Sequence, residues 1–121
     1  MRFMMMVKAN EKAGPPSAEL GAAIGQLGQE MMRAGVLLEL GGLLPSAAGA
    51  RVRLSGGRVT VNDGPFTETK ELVGGYAILV AKSKEEAIEY GRRFLNVHAE
   101  ILGNSYEGEL EIRQMAEAPQ S

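Results

Sequence analysis

The sequence contains no cysteine, no tryptophan and only one histidine. Without cysteine the chain can form neither disulfides nor thiolate metal sites, and a single histidine argues against a histidine-based zinc site. A glycine-rich nucleotide-binding motif is also missing. We therefore expect neither a metal ion nor a cofactor.

A strong charge of either sign is missing as well. The 13 lysines and arginines nearly balance the 15 aspartates and glutamates, for a formal net charge of −2. Because no basic stripe alternates with aromatic residues, we expect no nucleic-acid partner. No apolar run approaches the roughly 18 residues of a membrane span, and the apolar run near the N-terminus is shorter than a signal-peptide core. We expect a cytoplasmic protein without membrane contact.

A chain of 121 residues fits one domain, which we predict over residues 1–115, followed by a flexible tail over residues 116–121. Apolar spacing predicts a strand, a helix, a strand, a hairpin, a strand, a helix and a strand. The predicted elements occupy residues 2–8, 17–34, 36–40, 51–61, 72–81, a helix from residue 83, and 108–115. Without the hairpin, this order is the β-α-β-β-α-β plan of ferredoxin-like α+β folds.

The strands over residues 2–8 and 72–81 are apolar on both faces. Two helices cover only one face of a sheet, whereas such strands are normally covered on both. We therefore predict a homodimer with two sheets packed face to face and C2 symmetry. In the hairpin, Gly56-Gly57 suits a two-residue turn. We expect its buried side to consist of four apolar residues, Val52, Leu54, Val59 and Val61.

Polar residues concentrate in residues 61–71, between the hairpin and the predicted central strand. This stretch contains a rigid Gly-Pro turn next to Asp63, followed by Glu68. One hypothesis places Asp63 and Glu68 at a cavity mouth, where a carboxylate whose pKa is raised by burial acts as a general base. The other hypothesis is structural, because an aspartate before Gly-Pro bonds its own downstream backbone and fixes a turn. The sequence leaves both open.

Five further residues are candidates for ligand binding, and each also has a structural explanation. Glu39 lies on a mostly apolar strand and either lines a cavity or faces water. Arg51 either recognises an anionic group or belongs to a solvated face of the hairpin. Phe66 either contacts a ligand or plugs a core edge. Lys70 either lies opposite the carboxylates or forms a surface ion pair, and Tyr76 either donates its hydroxyl into a barrel interior or packs there.

The single histidine, His98, belongs to the end of the second predicted helix. A helix C-terminus favours a protonated imidazole there, and a catalytic role is the alternative.

The middle of the chain carries a distinctive motif, Asp63-Gly64-Pro65-Phe66, followed by Glu68, Lys70-Glu71 and Gly74-Gly75-Tyr76. This combination resembles the signature of the DGPF-domain branch of the YCII-related family, and the likeness extends over nearly the whole chain. The resemblance implies a dimeric α+β barrel and bacterial, cytoplasmic proteins of mostly unassigned function. It also implies a functional link to an extracytoplasmic-function sigma factor, with which some members are associated. An aromatic-ring dehydrochlorinase is a more distant relative.

One feature of that family is absent from this sequence. YCII proteins proper resemble one another in a histidine on the first helix, paired with an aspartate near the end of that helix. Here Ile24 or a neighbour stands in that region, and Arg33 and Ala34 supply no carboxylate at the helix end. The acid–base pair therefore has no counterpart here.

Two functions remain open. The first is a dimeric small-molecule-binding or regulatory protein with a cavity lined by Tyr76, Glu39 and the region of Asp63. The missing histidine–aspartate pair, cysteine and nucleotide motif favour it. The second is a cofactor-independent lyase or hydrolase acting on a small molecule such as an aromatic compound, which the grouping of Asp63, Glu68 and Lys70 favours. A purely structural dimerisation module is a weaker third option.

Overall fold

The computed structural model describes residues 1–67 and 71–117 of the chain. It has an α+β architecture, with strands and helices in the predicted order. The strands are β1 (Arg2–Lys8), β2 (Leu37–Gly42), β3 (Ala50–Ser55), β4 (Arg58–Asp63), β5 (Val73–Val80) and β6 (Leu110–Gln114). The helices are α1 (Ala18–Arg33) and α2 (Lys84–Leu102), with short 3-10 turns at Glu11–Ala13 and Ser46–Ala48. Residues 118–121 of the predicted tail lie outside the described residues.

Four strands form one antiparallel sheet in the order β2-β5-β1-β6. The central strands are therefore β1 and β5, the two strands whose sequences are apolar on both faces. Phe3 pairs directly with Leu79, and Met5 pairs with Ala77. All four side chains are buried on the face that the helices cover. The two-faced pattern thus correctly predicts the centre of the sheet.

The core lies in a single layer between this face and the two helices. Residues of α1 at helical spacing supply one side of it: Leu20, Leu27 and Met31 are buried, and Ile24 is partly buried. From α2, Ala87 and Phe94 pack against the same layer. Both helices start at a serine cap: Ser17 Oγ accepts from the Leu20 backbone N–H at 3.2 Å, and Ser83 Oγ accepts from Glu86 N–H at 3.1 Å. In the described part of the chain, neither helix is long and apolar enough to cross a membrane.

The opposite face of the sheet is also apolar at its centre. Met4 pairs with Ile78 and Met6 with Tyr76. Because side chains alternate along a strand, these four point away from the helices. All four are half-buried, and both helices pack on the other side. A single chain therefore leaves an apolar sheet face without a helical layer.

The hairpin β3–β4 stands apart from the sheet, because its strands pair only with each other. Its turn has Gly56 and Gly57 at φ of 58° and 77°, as the sequence predicts. Four apolar side chains share one side, in the cross-strand pairs Val52–Val61 and Leu54–Val59. The prediction that this side is buried is wrong for the single chain: these side chains are 62–71% exposed. The physical reason is that the hairpin joins neither edge of the sheet.

Helical glycines give a test of this packing. An added Cβ at Gly25, in the interior of α1, meets no atom within 4 Å, whereas one at Gly91 in α2 lies 3.0 Å from methyl groups of Leu110 and Ile112. Since glycine in a helix interior is less stable than alanine, Gly25→Ala should raise the free energy of unfolding by about 0.5–1 kcal/mol. Gly91→Ala should gain less or lose stability, because the Leu110 and Ile112 methyl groups must move away. Chemical denaturation of both variants measures the difference, and equal gains would contradict this account of α2 packing.

Candidate functional site

A cavity of about 950 Å³ lies between the helix-covered face of the sheet and one end of the helical layer. Its walls come from the loop over residues 9–17, the first turns of α1, the last turns of α2 and the segment that follows α2. Apolar side chains line most of it: Val7, Leu20, Ile24, Leu40, Phe94 and Leu102. Its volume is at the upper end of the range of about 300–1,000 Å³ that is typical of small-molecule sites.

Glycines in the sheet leave room for this cavity. Gly42 of β2 pairs directly with Gly75 of β5, and both line the cavity. Alternation along β5 puts Gly75 on the same face as the buried Ala77 and Leu79. At this point no side chain rises from either strand towards the helices. The helices therefore pack closely against one end of the sheet, and the cavity lies over the other end.

His98 is a polar group buried at the cavity wall, with 6% of its surface exposed. Its Nδ1 atom lies 2.9 Å from the backbone carbonyl oxygen of Phe94, one helical turn earlier. The imidazole lies between two aromatic rings, with centroid distances of 4.7 Å to Phe94 and 5.2 Å to Tyr106. The ring is therefore held in one orientation by a hydrogen bond and by packing on both sides.

His98 lines the cavity. Its second nitrogen, Nε2, has no hydrogen-bond partner among the described residues. Among the described residues, no buried side-chain nitrogen or oxygen lacks a hydrogen-bond partner. Nε2 is therefore accessible from the cavity rather than sealed in the core. The site thus contains one oriented imidazole in a mainly apolar wall.

Tyr106 follows α2 and stacks on His98 at an interplanar angle of 27°. Its phenol ring also lies over Gly108, where an added Cβ would come within 2.3 Å of the hydroxyl oxygen. Burial raises the pKa of Tyr106 above its ordinary value. The phenol therefore stays neutral at physiological pH, and it covers the imidazole with an uncharged aromatic surface.

An ion pair closes another part of the rim. Lys8 Nζ lies 2.8 Å from a carboxylate oxygen of Glu71. This hydrogen bond lowers the pKa of Glu71 and raises the pKa of Lys8. Lys8 lines the cavity, and its charge is neutralised by Glu71. The site therefore does not present an unpaired lysine to an anionic ligand.

The Asp63-Gly64-Pro65-Phe66 motif docks against the turn at Ser46, outside the cavity. The Gly64 backbone N–H donates to the Gly49 carbonyl at 2.9 Å, and the Phe66 N–H donates to Ser46 Oγ at 3.0 Å. Ser46 in turn donates its hydroxyl to Glu11 at 2.8 Å and its backbone N–H to the other oxygen of that carboxylate. The motif thus ties the base of the hairpin to the loop that precedes α1.

Two of the predicted ligand-binding residues contact each other near this motif. The guanidinium carbon of Arg51 lies 3.9 Å from the centroid of the Phe66 ring, a cation–π contact. Neither residue lines the cavity. The structure thus brings Arg51 and Phe66 together at the hairpin base.

Glu39 and Tyr76 form a second pair. The Tyr76 hydroxyl donates to the Glu39 carboxylate at 3.0 Å, and this bond raises the pKa of Tyr76. The ring lies across Gly41, where a Cβ would be 2.6 Å from a ring carbon. By its pairing with Met6, the Tyr76 side chain is on the sheet face away from the helices. Tyr76 also borders the cavity from β5.

The predicted catalytic residues are not gathered at the cavity. Asp63 is exposed at the end of β4 and does not line it. Glu68 lies outside the described residues, as does the predicted ligand-binding residue Lys70. Within the described residues, no three histidine, aspartate or glutamate side chains are placed to hold a metal ion.

The sequence predicts His98 at a helix end, but the residues that surround it are not predicted. One signal was available, because Ala87, Gly91, Phe94 and His98 follow one another at helical spacing on one face of α2. That spacing predicts a buried histidine. The roles of Glu11 and Ser46 left no such signal, because these residues are 35 positions apart and meet only in the folded chain.

The docking of the motif leads to a prediction for two glycines that flank the Ser46 turn. An added Cβ at Gly64 would lie 1.7 Å from the Ser46 carbonyl oxygen, whereas one at Gly49 stays 3.5 Å from the same atom. We expect Gly64→Ala to lower the free energy of unfolding by about 1–3 kcal/mol or more, because backbone must move. Gly49→Ala is the matched control and should change it by less than about 0.5 kcal/mol. Thermal and chemical denaturation test both, and equal stability of the two variants would contradict the docked arrangement.

Comparison with protein families matches residues 1–107 to the model described as the YCII-related domain. The match covers most of the chain, including the cavity, the hairpin and the motif. Comparison with curated proteins gives no significant match.

Proposed function

We propose that this chain, which belongs to the YCII-related family, is a homodimeric protein that binds a small, largely apolar molecule in the cavity beside His98. The observation that carries the proposal is the cavity itself. It combines apolar walls with one oriented imidazole, and binding sites typically pair an apolar lining with a few fixed polar groups.

Two features favour binding or regulation over catalysis. Asp63 is exposed and outside the cavity wall, so it would not contact a molecule bound in the cavity. Lys8 is already bonded to Glu71, and the Tyr76 hydroxyl is bonded to Glu39 on the sheet face away from the helices. A bound molecule therefore meets mainly apolar surface and His98.

A cofactor-independent lyase or hydrolase remains the second candidate, and His98 is the observation that favours it. A neutral imidazole nitrogen open to a cavity can take a proton from a bound molecule. In this alternative the base would be His98 rather than the predicted Asp63 or Glu68.

The homodimer is supported by two apolar surfaces that a single chain leaves uncovered. One is the outer sheet face around Met4, Met6 and Ile78, and the other is the apolar side of the hairpin. A second copy offers the same sheet face, so a twofold axis covers both sheets at once. The strand order β2-β5-β1-β6 with both helices on one face supports a ferredoxin-like unit, and two such units would form the dimeric α+β barrel.

Sedimentation analysis tests the dimer. We expect the full chain to sediment with twice its own mass at low micromolar concentration. Met4→Glu on the outer sheet face and Val61→Glu on the apolar hairpin side should give the single-chain mass, because each would bury an unpaired carboxylate. Thr60→Glu is the control: it is adjacent to Val61 but on the opposite hairpin side, across from Arg53. A single-chain mass for the wild type, or dissociation by Thr60→Glu alone, would refute the arrangement.

A thermal-shift screen against a metabolite library tests ligand binding. Gly42→Leu is designed to fill the cavity, since an added Cβ at Gly42 meets nothing within 4 Å and the residue lines the cavity. Gly25→Leu adds the same side chain to an exposed position of α1 that does not line the cavity. We expect compounds that raise the melting temperature of the wild type and of Gly25→Leu but not of Gly42→Leu. Compounds that stabilise all three equally bind elsewhere, and an empty screen argues against the cavity as a binding site.

The same compounds separate binding from turnover. Each stabilising compound is incubated with the wild type, with Asp63→Asn and with His98→Gln, and products are followed by mass spectrometry. Binding without product in the wild type supports a binding protein. Product formation that Asp63→Asn or His98→Gln abolishes supports the enzyme and identifies which residue acts on the substrate.

A further inference from the structure

The surroundings of His98 determine which imidazole nitrogen holds the proton. They therefore indicate the chemistry of a ligand that would bind to the other nitrogen. The Phe94 carbonyl oxygen can only accept a hydrogen bond, so the Nδ1 atom at 2.9 Å must be the donor. In a neutral imidazole with a proton on Nδ1, Nε2 has a lone pair and no hydrogen. With the imidazole neutral, the cavity wall therefore contains a hydrogen-bond acceptor at Nε2.

The ring cannot present its other edge without losing contacts. It is buried between Phe94 and Tyr106, and turning it over would remove the Nδ1 bond from the Phe94 carbonyl. Breaking that bond would leave a buried polar group unsatisfied, which is costly. Nε2 is therefore oriented towards the cavity before any ligand arrives.

The groups around Nε2 favour an uncharged aromatic molecule. Phe94 and Tyr106 supply aromatic surface, and Leu20, Ile24 and Leu102 supply apolar walls. Among the described residues that line the cavity, the cation is Lys8, which is neutralised by Glu71, and Glu107 adds another carboxylate to the wall. Within this described lining, an anionic ligand would meet a lone pair and carboxylates rather than a free cation.

We infer that Nε2 of His98 is the acceptor that anchors the ligand, and that the ligand is a neutral aromatic molecule with a hydroxyl group that donates to it. This inference rests on the proposed binding function and names the ligand class for the same cavity. The aromatic part lies against the apolar wall, and the hydroxyl satisfies the lone pair. An ether of the same shape fills the cavity but leaves Nε2 without a donor.

The first test concerns the tautomer and needs no ligand. The chain contains one histidine, so ¹⁵N-labelled full-length protein gives a single pair of imidazole nitrogen signals. At pH 8 we expect a shift typical of a protonated nitrogen for Nδ1 and of an unprotonated nitrogen for Nε2. The reverse assignment overturns the inference, whatever the cavity binds.

The second test compares three probes of nearly equal shape: 2-naphthol, 2-methoxynaphthalene and 2-naphthoate. The chain lacks tryptophan, so naphthalene fluorescence can be followed without tryptophan background. We expect 2-naphthol to bind about five- to tenfold more tightly than the ether, as for one net hydrogen bond, and 2-naphthoate to bind most weakly. In the wild type, 2-naphthol should also shift the Nε2 signal more than the Nδ1 signal.

His98→Phe is the diagnostic variant, because it keeps an aromatic ring and removes the acceptor. Affinity for the ether should be retained, while the preference for 2-naphthol should be lost. Equal affinities for 2-naphthol and the ether in the wild type, or tighter binding of the naphthoate, overturn the inference but leave the binding function intact. Absence of binding by all three overturns the proposed ligand class, and the proposed function fails with it only if the library screen also finds nothing. If His98→Phe does not fold, the two imidazole nitrogen signals of the wild type, and their response to 2-naphthol, decide whether Nε2 is the acceptor.

Discussion

The structure depends on one constraint: β1 and β5 are apolar on both faces, but the described part of the chain has only two helices to cover them. Alternation along each strand directs Phe3 and Met5 to the helices and Met4 and Met6 away from them. The helices bury the first set completely. The second set stays half-exposed in the single chain, and so does the apolar side of the hairpin. Face-to-face pairing of two copies would resolve both, which is why we propose the dimer.

The same sheet explains why a cavity lies beside a well-packed core. Along the helix-covered face of β5, Leu79 and Ala77 are followed by Gly75, which pairs with Gly42. Packing is therefore dense where side chains fill the space and open where two glycines face each other. On α2, Ala87 and Gly91 lie towards the packed part, Phe94 borders both the core and the cavity, and His98 continues the same stripe to the open part. His98 thus has the helical spacing of the core residues of α2 but lines the cavity, where a polar side chain is tolerated.

Much of this fold is predictable from the sequence, because periodicity acts locally. Period-two and helical spacing correctly indicate the order of elements, the central strands and the inner face of α1. The sequence does not predict which polar groups contact each other in the folded chain. The hydrogen bond from Ser46 to Glu11 joins residues 35 positions apart, and the Tyr76–Glu39 bond joins two strands. The hairpin shows the same limit: its apolar side follows from the sequence, but its exposure follows from the absence of a neighbouring element. The alternation of side chains along the strands therefore predicts the sheet face that we expect to pair, whereas the cavity is seen only in the folded structure.

The motif that distinguishes the sequence belongs to the framework around the site. Gly64 and Phe66 bond to the turn at Gly49 and Ser46, and Ser46 is held by Glu11. Glu11 belongs to the same loop as Asn10 and Gly14, which line the cavity. One cluster of hydrogen bonds therefore fixes both the base of the exposed apolar hairpin and one wall of the cavity. A displacement of either would disturb the other, so the surface proposed for pairing and the site proposed for binding share a single support. The polar residues of the motif thus matter for where the cavity and the hairpin lie, while the chemistry of the cavity rests on His98.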